Sequence, residues 1–201
     1  MKKILLGSLF LALILVACQT DNSGSESTEQ QAPTSELLDQ KYMEQGEAVT
    51  SDLGPRLFMR MNNALKNQSF ESAITYCNLL HYDFVDTMAN NKALKVRRVS
   101  EQFRNRKDKP TDDEYLILRD FKTKQMSGET LVPFIKQIDA STVAYYEPIM
   151  VQEICLNCHG IVGEDLTEAE YAIIEDKYPN DKAIGFRVGD LRGMWSVHLA
   201  K

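Results

Sequence analysis

Apolar residues recur at helical spacing through the first third of the chain. Leu37, Leu38, Tyr42, Met43, Ala48, Val49, Leu53, Leu57, Phe58, Met61 and Leu65 follow this pattern. The spacing predicts a long helix over 36–66, with Gly54-Pro55 placed to kink it. Asn67-Gln68 reads as a turn, and Ser69 can cap a second helix over about 70–89. Phe70, Ala73, Ile74, Cys77, Leu80, His81, Phe84, Val85 and Met88 fall on one broad face of that helix. A short strand is expected near 95–100, then a charged, turn-rich stretch to Asp112, then a helix to Met126 ended by Ser127-Gly128. Leu131–Ile138 and Thr142–Val151 read as strands. Thr167 followed by Glu170 makes a capping box for a short helix that stops before Tyr178. Gly189–Gly193 reads as a turn and Met194–Leu199 as a final strand. Helices first and short strands later predict an α+β fold with a small antiparallel sheet.

The N-terminus changes the compartment. Lys2 and Lys3 precede an apolar run from Ile4 to Ala17, too short for a comfortable membrane span and suited to a signal segment. It ends in Leu15-Val16-Ala17-Cys18, which resembles a bacterial lipobox and implies cleavage before Cys18 and lipidation of that residue. A short anchor helix is the alternative, and both place the remainder outside the cytoplasm. Gln19 is not the aspartate that often retains such lipoproteins at the inner membrane, so the outer membrane is favoured. Residues 18–35 are polar and low in complexity and read as a disordered tether. The expected organisation is a signal peptide over 1–17, the lipidated tether over 18–35, and one domain over 36–201. Losing Lys2 and Lys3 takes the net charge from −6 to −8. An acidic chain without a broad basic patch argues against nucleic acid as a partner. The lipid anchor makes the membrane one.

Four cysteines remain to be placed: Cys18, Cys77, Cys155 and Cys158. The last two lie in Cys155-Leu156-Asn157-Cys158-His159. A redox dithiol wants a βαβ setting that the preceding residues do not supply. A structural zinc site wants a second ligand pair, and the chain has none. Haem c wants two thiols spaced for the vinyl groups and a histidine directly after them as proximal iron ligand, in an exported protein. Every requirement is met. One motif implies one covalent haem c, attached through Cys155 and Cys158 and ligated by His159. Cys77 is then an orphan thiol on an apolar helix face, either a small buried hydrophobe or the missing second ligand. His81, one turn on, is the alternative distal ligand. His198 is expected to face outward. Met59, Met61, Met88, Met126, Met150 and Met194 are expected in the core, and Gly185, Gly189 and Gly193 are expected to set turns.

Five stretches together carry a resemblance. They are Ala73-Ile74-x-x-Cys77, Arg97-Arg98-Val99-Ser100 with Arg104-Asn105 and Pro110-Thr111, Cys155-x-x-Cys158-His159-Gly160, Tyr178-Pro179-x-Asp181-x-Ala183-x-Gly185-Phe186, and Gly189-Asp190-Leu191-Arg192-Gly193. This set resembles the PAS-like c-type haem domain family, found as periplasmic modules of sensor kinases and as free-standing cytochromes. The resemblance implies a PAS-like sheet with N-terminal helices, and a distal cysteine ligand that here falls on Cys77. It also implies a low reduction potential, since a thiolate stabilises ferric iron. Arg98 and Arg192 are candidates for the haem propionates, and Tyr178 and Trp195 for the core or the haem edge. For Arg98 and Arg192, salt bridges to Asp181 or Asp190 are the competing role. The expected function is electron transfer or redox sensing with an unidentified redox or signalling partner. A gas sensor acting through a partner is the alternative, and a haem peroxidase a further one.

Overall fold

The computed structural model describes residues 35–75 and 93–201, all of which lie in the compact unit Pro33–Lys201. Helix α1 spans Ser35–Asn67 and continues through Pro55. Tyr42, Val49 and Leu53 are among its buried residues, and their spacing holds one stripe of the helix against the sheet. Residues 70–75 begin a second helix, α2. Its cap is the expected one, with the Ser72 N–H donating to Ser69 Oγ at 3.1 Å.

Strands β1 (Ala93–Val99), β2 (Phe134–Gln137), β3 (Thr142–Met150) and β4 (Leu191–Ala200) form one antiparallel sheet in the order β1-β4-β3-β2. The fold is therefore α+β with a small antiparallel sheet. Alternation along the strands separates two cores. Val143 and Tyr145 of β3, with Trp195, Val197 and Leu199 of β4, pack against α1. Ala144, Tyr146 and Met194 pack on the other face, against Ile117, Leu118 and Phe121 of helix α3 (Asp112–Met126). Gly46 lets α1 lie directly on the sheet: a Cβ there would meet the Tyr145 ring at 2.1 Å. Thr111 and Glu114 form the capping box of α3. The same Glu114 carboxylate accepts from Arg97 on β1 at 2.7 Å, tying strand to helix.

Four expectations are corrected. β2 is shorter than 131–138 because Pro133 just before it has no N–H for the ladder. β4 starts at Leu191, so Gly193 lies in the strand and not in a turn. Any Cβ at Gly193 would come within 2.4 Å of the Val99 carbonyl oxygen, so glycine is what allows β1 and β4 to approach there. Gly185 and Gly189 do have positive φ, 79° and 89°, and do set turns. Among the methionines, Met194 is core, but Met59 and Met126 are 60% and 82% exposed. His198, expected outward, is half-buried on β4.

Residues 151–190 leave the sheet between β3 and β4. The neck of this insertion is closed by Val151 N–H donating to Asp190 O (2.8 Å) and Gly189 N–H donating to Val151 O (2.9 Å). It holds a 3-10 turn at Glu153–Cys155, the single-turn helix α4 (Leu156–His159) and helix α5 (Glu168–Lys177), which starts at the expected Thr167–Glu170 capping box. Ile74 of α2 packs into it beside Cys158, Leu166, Ile174 and Tyr178.

Candidate functional site

Cys155, Cys158 and His159 fall on one short turn that lines a cleft. Neither cysteine is in a disulfide. Phe186 N–H donates to His159 O at 2.9 Å and Gly185 N–H to Gly160 O at 2.8 Å, so the end of α4 is pinned like a strand pair. The His159 ring lies with Nδ1 2.6 Å from the Ala183 carbonyl oxygen. A carbonyl only accepts, so Nδ1 carries the proton and Nε2 keeps a free lone pair. Burial, reinforced by the nearby Arg192 and Arg104 charges, holds the imidazole well below its ordinary pKa against the Ala183 hydrogen bond. The ring is thus neutral, the form that binds a metal.

Arg104 organises the floor. It is buried, and its Nη2 donates to Cys158 O at 2.6 Å and Ala183 O at 3.3 Å, while its Nε donates to Asp181 Oδ1 at 3.1 Å. Asp181 in turn accepts from Ala183 N–H at 3.0 Å. One arginine therefore fixes the backbone of the second cysteine and the carbonyl that sets the histidine tautomer. Its Nη1 is buried without a hydrogen-bond partner, as is Arg98 Nε. Arg192 donates to Ser100 Oγ (2.9 Å) and Gln102 O (3.0 Å) and lies 5.2 Å over the Phe186 ring. Phe186 meets His159 edge-on at 6.3 Å. Burial and the neighbouring Arg104 and Arg98 charges push Arg192 down to about 10. Asp108 faces this group, and burial raises its carboxyl above the ordinary range despite Arg98, Arg192 and Arg97.

The cleft has two lobes of about 160 and 460 Å³ that share Met61, Arg98, Ile149 and Cys155. Leu65, Val99, Ile154, Cys158, His159 and Tyr178 are among the walls of the first, with Arg104, Asp108 and Arg192 at its polar side, and Pro55, Phe58, Met150 and Trp195 are among the walls of the second. Two thiols, an imidazole with a free Nε2, apolar walls and buried arginine N–H groups fit a haem c with its carboxylates.

The chain belongs to the Tll0287-like family. The family model matches residues 24–200. A solved member, the cyanobacterial heme-protein Tll0287, is 31% identical, with a TM-score of 0.55, over 79% of this chain and 95% of that one. No curated protein matches.

Within this Tll0287-like domain, five of the residues singled out in the sequence come together: Cys155, Cys158, His159, Arg98 and Arg192 all line the first lobe. Tyr178 lines it too, with its hydroxyl donating to Ile74 O at 3.3 Å. Trp195 packs under α1 and walls the second lobe. The salt bridge to Asp181 is made by Arg104, not by Arg98 or Arg192. Cys77, His81, Met88 and Cys18 lie outside the described residues. Sequence reading did not anticipate the central place of Arg104, the Ala183 carbonyl or Met61 in the cleft. The only signal for the first two was that Arg104, Asp181 and Ala183 stood inside the stretches that carry the resemblance.

Proposed function

We propose that this chain is a lipid-anchored, single-haem c-type cytochrome with a PAS-like haem domain, acting in electron transfer or redox sensing at the bacterial envelope. Haem, when bound, supplies a one-electron couple. The observation that carries the reading is the grouping of Cys155, Cys158 and a His159 whose Nδ1–H is committed to Ala183 O. The thiols hold the cofactor covalently and His159 Nε2 ligates iron. Arg98 and Arg104 offer buried, unpartnered N–H groups to its propionates. The bearing of the Tll0287 match on this chain is the same: that relative is a heme-protein.

Cys77 is the distal ligand in this reading. Its support is that Ile74, three positions earlier, is 1% exposed and clusters with Cys158, and that Tyr178 holds its carbonyl. A thiolate ligand sets a low potential. Lipid on Cys18 attaches the protein to the membrane, the outer one being favoured, and leaves the domain to meet a redox or signalling protein. The test is the paramagnetic resonance spectrum of the oxidised, haem-loaded protein beside Cys77→Ala. A low-spin ferric thiolate signature lost in the variant is expected. An unchanged spectrum overturns Cys77 ligation, moves the distal site to His81 or leaves it open, and turns the function towards gas sensing.

A further inference from the structure

We infer that Arg104 is a positioning residue that sets the reduction potential through His159, by competing with the imidazole for the Ala183 carbonyl. The inference rests on the haem reading above. Ala183 is 0% exposed, so its carbonyl is kept from water. Among the described residues two donors reach that oxygen, His159 Nδ1 at 2.6 Å and Arg104 Nη2 at 3.3 Å. A carbonyl oxygen has two lone pairs, and these donors use both. Arg104 Nη2 carries two hydrogens and faces three acceptors: Cys158 O at 2.6 Å, Ala183 O at 3.3 Å and Asp181 Oδ2 at 3.3 Å. The short bond takes one hydrogen, and the other is divided between the Ala183 carbonyl and the Asp181 carboxylate. Asp181 therefore decides how much of that N–H the carbonyl receives. Its Oδ1 is held in turn by Arg104 Nε at 3.1 Å and by Ala183 N–H at 3.0 Å. The Arg104 and Asp181 side chains are 7% and 1% exposed, so the arrangement is fixed and poorly screened.

The partner on the far ring nitrogen tunes a metal-bound histidine. A stronger acceptor at Nδ1–H makes the imidazole a more basic ligand. A more basic ligand favours ferric iron, and hydrogen bonding beyond the ligands is one of the levers on haem potential. A cationic N–H on the same carbonyl draws electron density from it, so the carbonyl pulls less on the His159 proton. Arg104 thus keeps His159 a neutral imidazole with little imidazolate character, and holds the potential up.

The test uses the full haem-loaded protein with ¹⁵N-labelled histidine, reduced with dithionite under carbon monoxide so that the iron is low-spin and diamagnetic. The haem ring current singles out the His159 ring, and its Nδ1–H proton is followed. In Arg104→Met/Asp181→Asn the carbonyl keeps only the histidine, so that proton is expected to move downfield and the potential to fall. The double exchange leaves the net charge unchanged, so loss of a lone charge does not explain such a shift. In Asp181→Asn alone the divided hydrogen passes more fully to Ala183 O, so the proton is expected to move upfield and the potential to rise. An Nδ1–H resonance unmoved in Asp181→Asn, or a double variant with the wild-type potential, overturns the inference. Asp181→Asn keeps the shape of the side chain and decides the matter even if the double variant folds poorly. Haem retention on a denaturing gel is read on the same samples. Haem retained with an unmoved proton overturns only the role of Arg104, and no retained haem overturns the haem c reading with it.

Discussion

The four-stranded sheet and the 151–190 insertion satisfy their backbones in different ways. In the sheet the ladder does it, and the side chains are free to be apolar on both faces: Ala144, Met194, Val197 and Leu199 are 0% exposed. In the insertion, short turns leave carbonyls and amides that no ladder can meet. Side chains meet them instead. Arg104 takes Cys158 O and Ala183 O, His159 takes Ala183 O, and Asp165 Oδ2 takes the Ile161 N–H. The sheet is built for stability and the insertion for holding a few groups in fixed orientation over a polar-edged cleft. Stability and cofactor chemistry should therefore respond to different substitutions.

The largest expected separation comes from the α3 face. Phe121 is 1% exposed and packs on Phe134 at 5.7 Å. Phe121→Ala should lower unfolding free energy in urea by roughly 3–5 kcal/mol, with the visible spectrum of the folded fraction unchanged. A spectrum altered in step with stability would break the division. Next is the Arg97–Glu114 pair, with side chains 15% and 4% exposed. Removing one partner of such a pair leaves a buried charge, so Glu114→Gln should cost about 3 kcal/mol.

The same carboxylate gives a pH dependence. Burial pushes Glu114 up, but the Thr111 N–H and the Arg97 charge outweigh it and hold it below the ordinary value of 4.5. Its contribution is then complete above pH 4.5 and is lost as pH falls through the lower folded value. Urea titrations of wild type and Glu114→Gln below that pH should converge. Parallel curves would contradict the assignment.

Smaller effects belong to the cleft. Arg98→Gln removes a half-buried positive charge beside the proposed haem. It should lower the reduction potential by an amount on the order of 1 kcal/mol per electron, with little change in the urea midpoint. Tyr178→Phe deletes the 3.3 Å hydrogen bond to Ile74 O. It should cost about 1 kcal/mol of stability and weaken the proposed low-spin thiolate signal, which urea unfolding and paramagnetic resonance respectively would read. A full-strength thiolate signal would show that Tyr178 does not position α2.

What was legible in the sequence follows the same division. Apolar periodicity located α1 because burial on one face imposes it, and turn residues such as Ser127-Gly128 located the end of α3. The Thr167–Glu170 capping box located the start of α5 because its hydrogen bonds are local, whereas the Thr111–Glu114 box that starts α3 was not read from the sequence. The thiol pair and His159 were legible because attachment chemistry demands adjacent residues. Arg104 was not, since its partners lie 54 and 77 residues away and only the fold brings them together. Gly193 was misread for a similar reason: its cause is the Val99 carbonyl of another strand. Met61 looked like one more apolar residue in the stripe of α1, and its place in the cleft depends on where the insertion folds back.

The most direct measurement is the intact mass and haem stain of the denatured protein, made in an exporting host that attaches haem c, beside the double variant Cys155→Ala/Cys158→Ala. One haem per chain that survives denaturation in the wild type and is absent from the variant is expected. A wild-type chain that releases its haem on denaturation, or carries none, would contradict the assignment of Cys155, Cys158 and His159 as a haem c site.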